Sequence, residues 1–242
     1  MTGSDTPFIL FGPAHLTVLF LTIAIPAALI ALARHHTQWS SKIGWGLAFV
    51  LLANKLAVFT YACIHNVVPW MERLPMQLCD WVTFITAGAL IWRNRLLYEL
   101  AYFWGLAGTL QATITPDLPF GFPEFYFFTF NISHSGIIIA VIFLTLGCGL
   151  RPYLKSLVRA FCWVQLYFVT AMTLNYLLDQ NYGYLCRKPL NPSLLDHLGP
   201  WPWYILSLQS LALCFFAIYY LPFVFWDLYR HKKLLWDIEN HS

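Results

Sequence analysis

Leu74-Pro75-Met76-Gln77-Leu78-Cys79-Asp80-Trp81 opens an apolar segment that runs on to Trp92. Proline suits the first turn of a helix, because its missing N–H would be unpaired there anyway. The spacing predicts a helix over 75–92, with Cys79 just inside its N-terminus. There the positive end of the helix dipole attracts a developing anion. A lone cysteine in an apolar helix is more often an inert packing residue than a nucleophile. Position alone therefore does not make Cys79 catalytic.

The rest of the chain repeats the same kind of segment. Of its 242 residues, 59% are hydrophobic, 18% aromatic and only 10% charged. A soluble domain carries about a quarter charged residues, so this surface is not built mainly for water. Seven runs approach the ~20 residues that cross a bilayer: Ala14–Ala33, Ile43–Ile64, Pro75–Trp92, Leu97–Ile114, Asn131–Leu150, Leu157–Leu178 and Pro202–Trp226. The expected fold is all-α, a polytopic membrane bundle of seven transmembrane helices forming one domain over residues 1–242. Met1 to Phe11 holds no basic residue, so a cleavable signal peptide is not expected there. Gly105 and Gly108 are expected to let helices approach closely.

Basic residues set the expected orientation. Ten of the fourteen fall in alternate loops and the tail: Arg34, Lys42, Arg93, Arg95, Arg151, Lys155, Arg159, Arg230, Lys232 and Lys233. The opposite side holds Arg73, Arg187 and Lys188, and Lys55 lies within a span. The N-terminus is thus expected outside and the C-terminus in the cytoplasm of a multi-pass protein of the cell membrane. No basic patch interleaved with aromatics suggests nucleic acid. The six cysteines show neither metal-ligand spacing nor a disulfide framework.

On that topology the polar residues collect near the outer helix ends: His15, His65, Cys79, Asp80, Asp117, His134, Asn175 and Asp179. Ionisable residues at membrane depth are costly and point to function. Asn175 and Asp179, four apart, share one helix face. Asn131 and Ser133 read as N-cap candidates for the fifth helix, which leaves His134 unexplained. Cys79 and His134 begin two helices entering from the same side. A thiol beside an imidazole is the minimum for covalent acyl transfer: the base takes the thiol proton and sulfur attacks a carbonyl. Asp117 is placed to orient the imidazole as the third member of a triad does. Lys55, the deepest charge, has three open roles: pairing with a carboxylate such as Asp80, snorkelling outward, or holding a phosphate headgroup. Ser193 to Asp196 resembles a capping box with Asp in place of Glu.

Five stretches carry a family resemblance: Phe11-Gly12-Pro13-Ala14-His15, Leu74 to Cys79, Tyr102 to Leu118, Ser133-His134-Ser135-Gly136, and Asn191 to Tyr204. Together they resemble the YwaF-like family of integral membrane proteins, which includes a eukaryotic acyltransferase acting on ether phospholipids. The resemblance implies Cys79 as nucleophile and His134 as its partner. It also implies an acyl-thioester intermediate and a membrane phospholipid or lysophospholipid as substrate. Asp117, Asn175, Asp179, Asp80, Gln77, His65 and Lys55 are the expected supporting or substrate-binding residues. Neither a metal, a cofactor nor an obligatory protein partner is expected. Hydrolysis at the same site stays open beside transfer. A seven-helix transporter or sensor for a small ligand, or a structural subunit, stands as the alternative from another class.

Overall fold

The computed structural model describes residues 6–36, 38–188 and 194–241. Among them are seven α-helices and no strand. They are α1 Pro13–His35, α2 Trp39–His65, α3 Leu78–Trp92, α4 Arg95–Ile114, α5 Phe125–Ile142, α6 Leu154–Leu178 and α7 Trp203–His241. A π turn, Phe143–Gly147, ends α5. An isolated bridge, Pro7 with Phe120, ties the N-terminal segment to the α4–α5 loop.

Length and apolarity sort the helices. Five segments are long and apolar enough to cross a membrane: Pro13–His35, Trp39–His65, Phe125–Gly147, Leu154–Leu178 and Trp203–Lys233. α3 is apolar but shorter. α4 carries Arg95 and Glu99 and is the interior helix, with Tyr98 to Gly105 buried in one run. It packs against α3, α5, α6 and α7. Phe20, Ile23, Phe49, Val169 and Leu177 are exposed on α1, α2 and α6. A surface this apolar calls for a non-aqueous neighbour.

Aromatic side chains with polar tips bind α4 to its surroundings. Trp104 Nε1 donates to Ala160 O at 3.0 Å and the Tyr102 hydroxyl to Tyr219 O at 2.8 Å. The Tyr98 hydroxyl lies 2.9 Å from Thr145 Oγ1 and 3.1 Å from Leu150 O. Gly105 allows close approach, as expected, since a Cβ there would stand 2.9 Å from Ile137 Cγ2. Gly108 does not: a Cβ there would meet nothing within 4 Å.

Two helix starts differ from the sequence expectation. α3 begins at Leu78 rather than Pro75, because Pro69 to Leu74 form tight turns and Gln77 is the extended N-cap. α5 begins at Phe125 rather than Asn131, so Asn131 and Ser133 are interior residues and not caps. The aromatic run Phe125-Tyr126-Phe127-Phe128 continues the helix outward to the Pro123–Glu124 corner. Ser193, and with it the capping-box reading, lies outside the described residues.

The basic residues of the α1–α2, α3–α4 and α5–α6 connections gather at one end of the bundle. Arg93 donates to Ser40 O at 2.7 Å, and Arg151 holds the Asp227 carboxylate in a two-pronged pair at 2.8 and 2.6 Å. Glu99, with 0% exposure, accepts from Arg95 Nε at 3.0 Å, Arg159 at 3.0 Å and Ser156 Oγ at 2.7 Å. The candidate functional residues lie at the opposite end.

Candidate functional site

Asp80 organises the start of α3. One carboxylate oxygen accepts from the Gln77 backbone N–H at 3.1 Å, closing the helix N-terminus. The other oxygen pairs with Lys55 from α2. One of the three roles open to Lys55 is thus the one observed, and its side chain is 24% exposed against 13% for Asp80. Fixing Asp80 on both sides fixes Cys79, the preceding residue. Cys79 is half-buried, and like the other five cysteines it forms no disulfide. Its carbonyl accepts from Thr83 Oγ1 at 2.8 Å.

His134 projects from the third turn of α5. Its Nδ1 lies 2.9 Å from Phe130 O. A carbonyl can only accept, so Nδ1 carries the hydrogen and the neutral ring keeps its lone pair on Nε2. The Phe130 ring stacks on the imidazole with centroids 4.0 Å apart. The orienting group at Nδ1 is therefore the Phe130 carbonyl rather than the Asp117 carboxylate. Both Cys79 and His134 lie within the electrostatic reach of Lys55 and Asp80. Among the described residues no hydrogen bond joins the Cys79 sulfur to the His134 ring.

A strap crosses this end of the bundle. Asn175 on α6 donates to Tyr182 O at 3.0 Å and accepts from Tyr182 N at 2.6 Å. Tyr182 in turn donates from its hydroxyl to Met71 O, and the Gly183 amide donates to Gln77 Oε1 at 3.0 Å. Gly183 has φ +66, and a Cβ there would sit 2.6 Å from the Tyr167 hydroxyl. Only glycine fits that turn. Tyr167 donates to Met76 O at 3.2 Å and stands edge-on to Trp81 with ring centroids 5.5 Å apart. Tyr184, next on the strap, is within electrostatic reach of Asp117 and Cys79; burial, then these two groups, raises its phenol above the usual range. It stays a proton donor at neutral pH.

The expected supporting residues thus divide. Asp80, Lys55 and Gln77 adjoin Cys79, and Asn175 acts on them through the strap. Asp179 is the exposed left-handed C-cap of α6, φ 51. Asp117 is exposed on the loop after α4. His65, exposed at the end of α2, packs its ring at a tilt against Tyr61, with centroids 4.3 Å apart. His15 is fully buried: its Nδ1 accepts from the Phe11 amide at 3.0 Å and its Nε2–H donates to Thr113 O at 2.9 Å. It ties the N-terminal segment to α4 and has no free nitrogen. Among the described residues no group of three His, Cys, Asp or Glu side chains is gathered to hold a metal.

Between α2 and α3 opens a cavity of about 530 Å³. Lys55, Arg73, Glu72, Gln77 and Asp80 line one part, and Leu52, Leu56, Phe59 and Phe84 the other. Arg73 is held at its rim by Val68 O at 2.8 Å and Asn66 Oδ1 at 3.1 Å. Cations beside an apolar wall make the cleft amphipathic, like the lipids that would surround it.

The model of the TMEM164 family matches residues 10–220, which include every residue of this site. The chain belongs to the TMEM164 family. Membership of this membrane-protein family and its long apolar helices make it a multi-pass membrane protein. An uncharacterized protein of Treponema pallidum (strain Nichols) is 25% identical over 223 residues, covering 89% of this chain and 90% of that one. No solved structure matches.

Three contributors to this end were not legible as such in the sequence, Tyr167, Gly183 and Phe130, and neither was Glu99 at the opposite end. Glu99 carried one signal, an acid inside an apolar helix with Arg95 four residues before it. Phe130 acts through its backbone, which no side-chain pattern reveals.

Proposed function

We propose that this TMEM164-family chain is a membrane acyltransferase that moves a fatty acyl chain between phospholipids through a thioester on Cys79, with His134 as base. The carrying observation is that the Phe130 carbonyl holds His134 with its lone pair on Nε2, beside the ion pair that also positions Cys79. The YwaF-like resemblance supports the same chemistry. The amphipathic cleft between α2 and α3 suits a phospholipid, with its phosphate near Lys55 and Arg73 and a chain along Leu52, Leu56 and Phe84.

In this reading the thiol proton passes to Nε2 and sulfur attacks the donor ester carbonyl. The ester C–O bond breaks, and the leaving lysolipid alkoxide takes the proton from the imidazolium. A lysolipid hydroxyl then gives its proton to Nε2 and attacks the thioester. The C–S bond breaks, and sulfur recovers the proton. Sulfur and ring close to about 3 Å in the reacting complex, tighter than in the free protein. The same steps with water as acceptor would be hydrolysis; the largely apolar cleft favours a lipid hydroxyl.

The proposal includes seven membrane spans with the N-terminus outside and the site near the outer surface of the cell membrane. The collection of basic residues at one end supports this. Mass spectrometry of the purified protein in nanodiscs tests the chemistry. The expected result is a fatty acyl adduct on Cys79 released by hydroxylamine, and transfer of labelled acyl chains that is absent in Cys79→Ala. Full transfer by Cys79→Ala would overturn it.

A further inference from the structure

A second cavity, of about 730 Å³, lies between α1 and α5, on a different face of α5 from His134. Leu21, Ile25, Phe128 and Ile139 are among its apolar walls. Four polar side chains interrupt them: Thr17 and Thr22, whose hydroxyls donate to Pro13 O and Val18 O in their own helix, and Asn131 and Ser135. Among the described residues four buried side-chain polar atoms lack a hydrogen-bond partner, and two of these, Asn131 Oδ1 and Ser135 Oγ, line this one cavity. Both residues are 7% exposed.

The orientation of Asn131 is not ambiguous. Its Nδ2 donates to Phe127 O at 2.7 Å, and that carbonyl cannot donate in return. The oxygen is therefore the atom left over, and it needs an O–H or N–H. A buried orphan of this kind costs about 1–3 kcal/mol, and the two here lie one turn apart on the same helix face. Water could meet the two orphan atoms but would leave the hydrocarbon walls unfilled, whereas a lipid can satisfy both. The occupant has to bring a long apolar body and a hydrogen-bond donor together. A diacyl ester lipid has the first without the second beside its chains.

We propose that the α1–α5 cavity is a lipid site distinct from the α2–α3 cleft. It seats the chain of a monoacylglycerol-type lipid and binds the lipid's free hydroxyls on Asn131 Oδ1 and Ser135 Oγ. One glycerol hydroxyl donates to Oδ1; a second accepts from, or donates to, Oγ. The chain lies along Leu21, Ile25 and Ile139. The site stands whether or not Cys79 carries an acyl group.

The test uses the full chain in nanodiscs of dioleoylphosphatidylcholine, which offers no hydroxyl donor. A monoacylglycerol with a diazirine in its chain is the photolabel, and unlabelled monoolein or its dimethyl ether the competitor. Label should map to α1 and α5. Monoolein should displace it about tenfold better than the ether, the worth of one hydrogen bond. Asn131→Leu and Ser135→Ala should each reduce that preference severalfold. Both remove an orphan atom, so folding is expected to survive; size-exclusion profiles confirm it. Labelling should persist in Cys79→Ala, which separates failure of this site from failure of the transfer reaction. Equal displacement by monoolein and its ether, label spread over the outer faces of α6 and α7, or a preference unchanged in both variants would each overturn the proposal.

Discussion

At the basic end of the bundle Glu99 is fully buried and accepts from Arg95, Arg159 and Ser156 at once. At the opposite end Asp80 keeps 13% of its side chain exposed and divides itself between Lys55 and the Gln77 amide. Both are carboxylates held by cations between helices. The first lies in a closed network with its oxygens occupied by α4 and α6 partners. The second borders a cavity, with a thiol next to it in sequence and an imidazole within its field. A carboxylate locked by three donors serves packing. One shared between a helix start and a half-exposed lysine can be rearranged by an incoming headgroup. The difference is what the proposed reaction would need: a rearrangeable carboxylate at the end with Cys79 and His134, and a locked one at the end that holds helices together.

The largest expected effect tests the chemical end. Cys79→Ala should bring acyl transfer and the thioester adduct to background, since the other five cysteines lack this setting. His134→Ala should lower transfer by about 10²–10⁴-fold at neutral pH, the usual worth of a general base. Part of that loss should return in alkali, above the pH ~8.5 at which an ordinary thiol ionises unaided, since a thiol desolvated in lipid ionises later. A pH profile of labelled acyl transfer in nanodiscs reads both. If His134→Ala behaved like Cys79→Ala at every pH, its role would be structural.

The cohesive end should answer differently. Glu99→Gln removes a buried charge from between two arginines that are themselves partly exposed, and should cost about 3 kcal/mol of stability. Thermal unfolding in detergent measures it. Acyl transfer per folded molecule should not change. A Glu99→Gln protein of unaltered stability but impaired transfer would erase the division between the two ends.

How far this division was legible in the sequence depended on the kind of contact. Helices came from apolar runs, and the Lys55–Asp80 pair was one of the few partnerships available to a deep lysine. The start of α5 is not legible because Phe125 to Phe130 continue the helix outward from the Glu124 cap, so Asn131 is an interior residue although its type suits a cap. The Tyr182–Gly183 strap rests largely on backbone donors and acceptors from separate segments, which leave no periodic trace. The Glu99 network is not legible because its partner Arg159 is sixty residues away.

A smaller effect separates the ion pair from its parts. Lys55→Met leaves Asp80 without its cation, and Asp80→Leu leaves Lys55 without its anion and unties the α3 cap. Each should destabilise more than half as much as the double variant, with a coupling of about 1–3 kcal/mol for residues in direct contact. Unfolding of the four proteins in one detergent closes the cycle. A coupling near zero would mean that solvent, and not Asp80, balances Lys55.

The smallest effect concerns the strap. Gln77→Ala deletes the acceptor of the Gly183 amide while leaving the Gln77 backbone N–H, and so the Asp80 cap, intact. One hydrogen bond at the surface is worth about 1 kcal/mol, too little to alter the fold. Asn175 would still hold Tyr182 by two bonds, so the strap should stay in place and open more often at Gly183 alone. Amide hydrogen exchange should quicken there severalfold and stay unchanged in α4. Because the strap covers the start of α3, transfer should fall by no more than about twofold to fivefold, in line with a positioning contact of this size. Loss of transfer as deep as in His134→Ala would show instead that Gln77 touches the substrate and belongs to the chemistry.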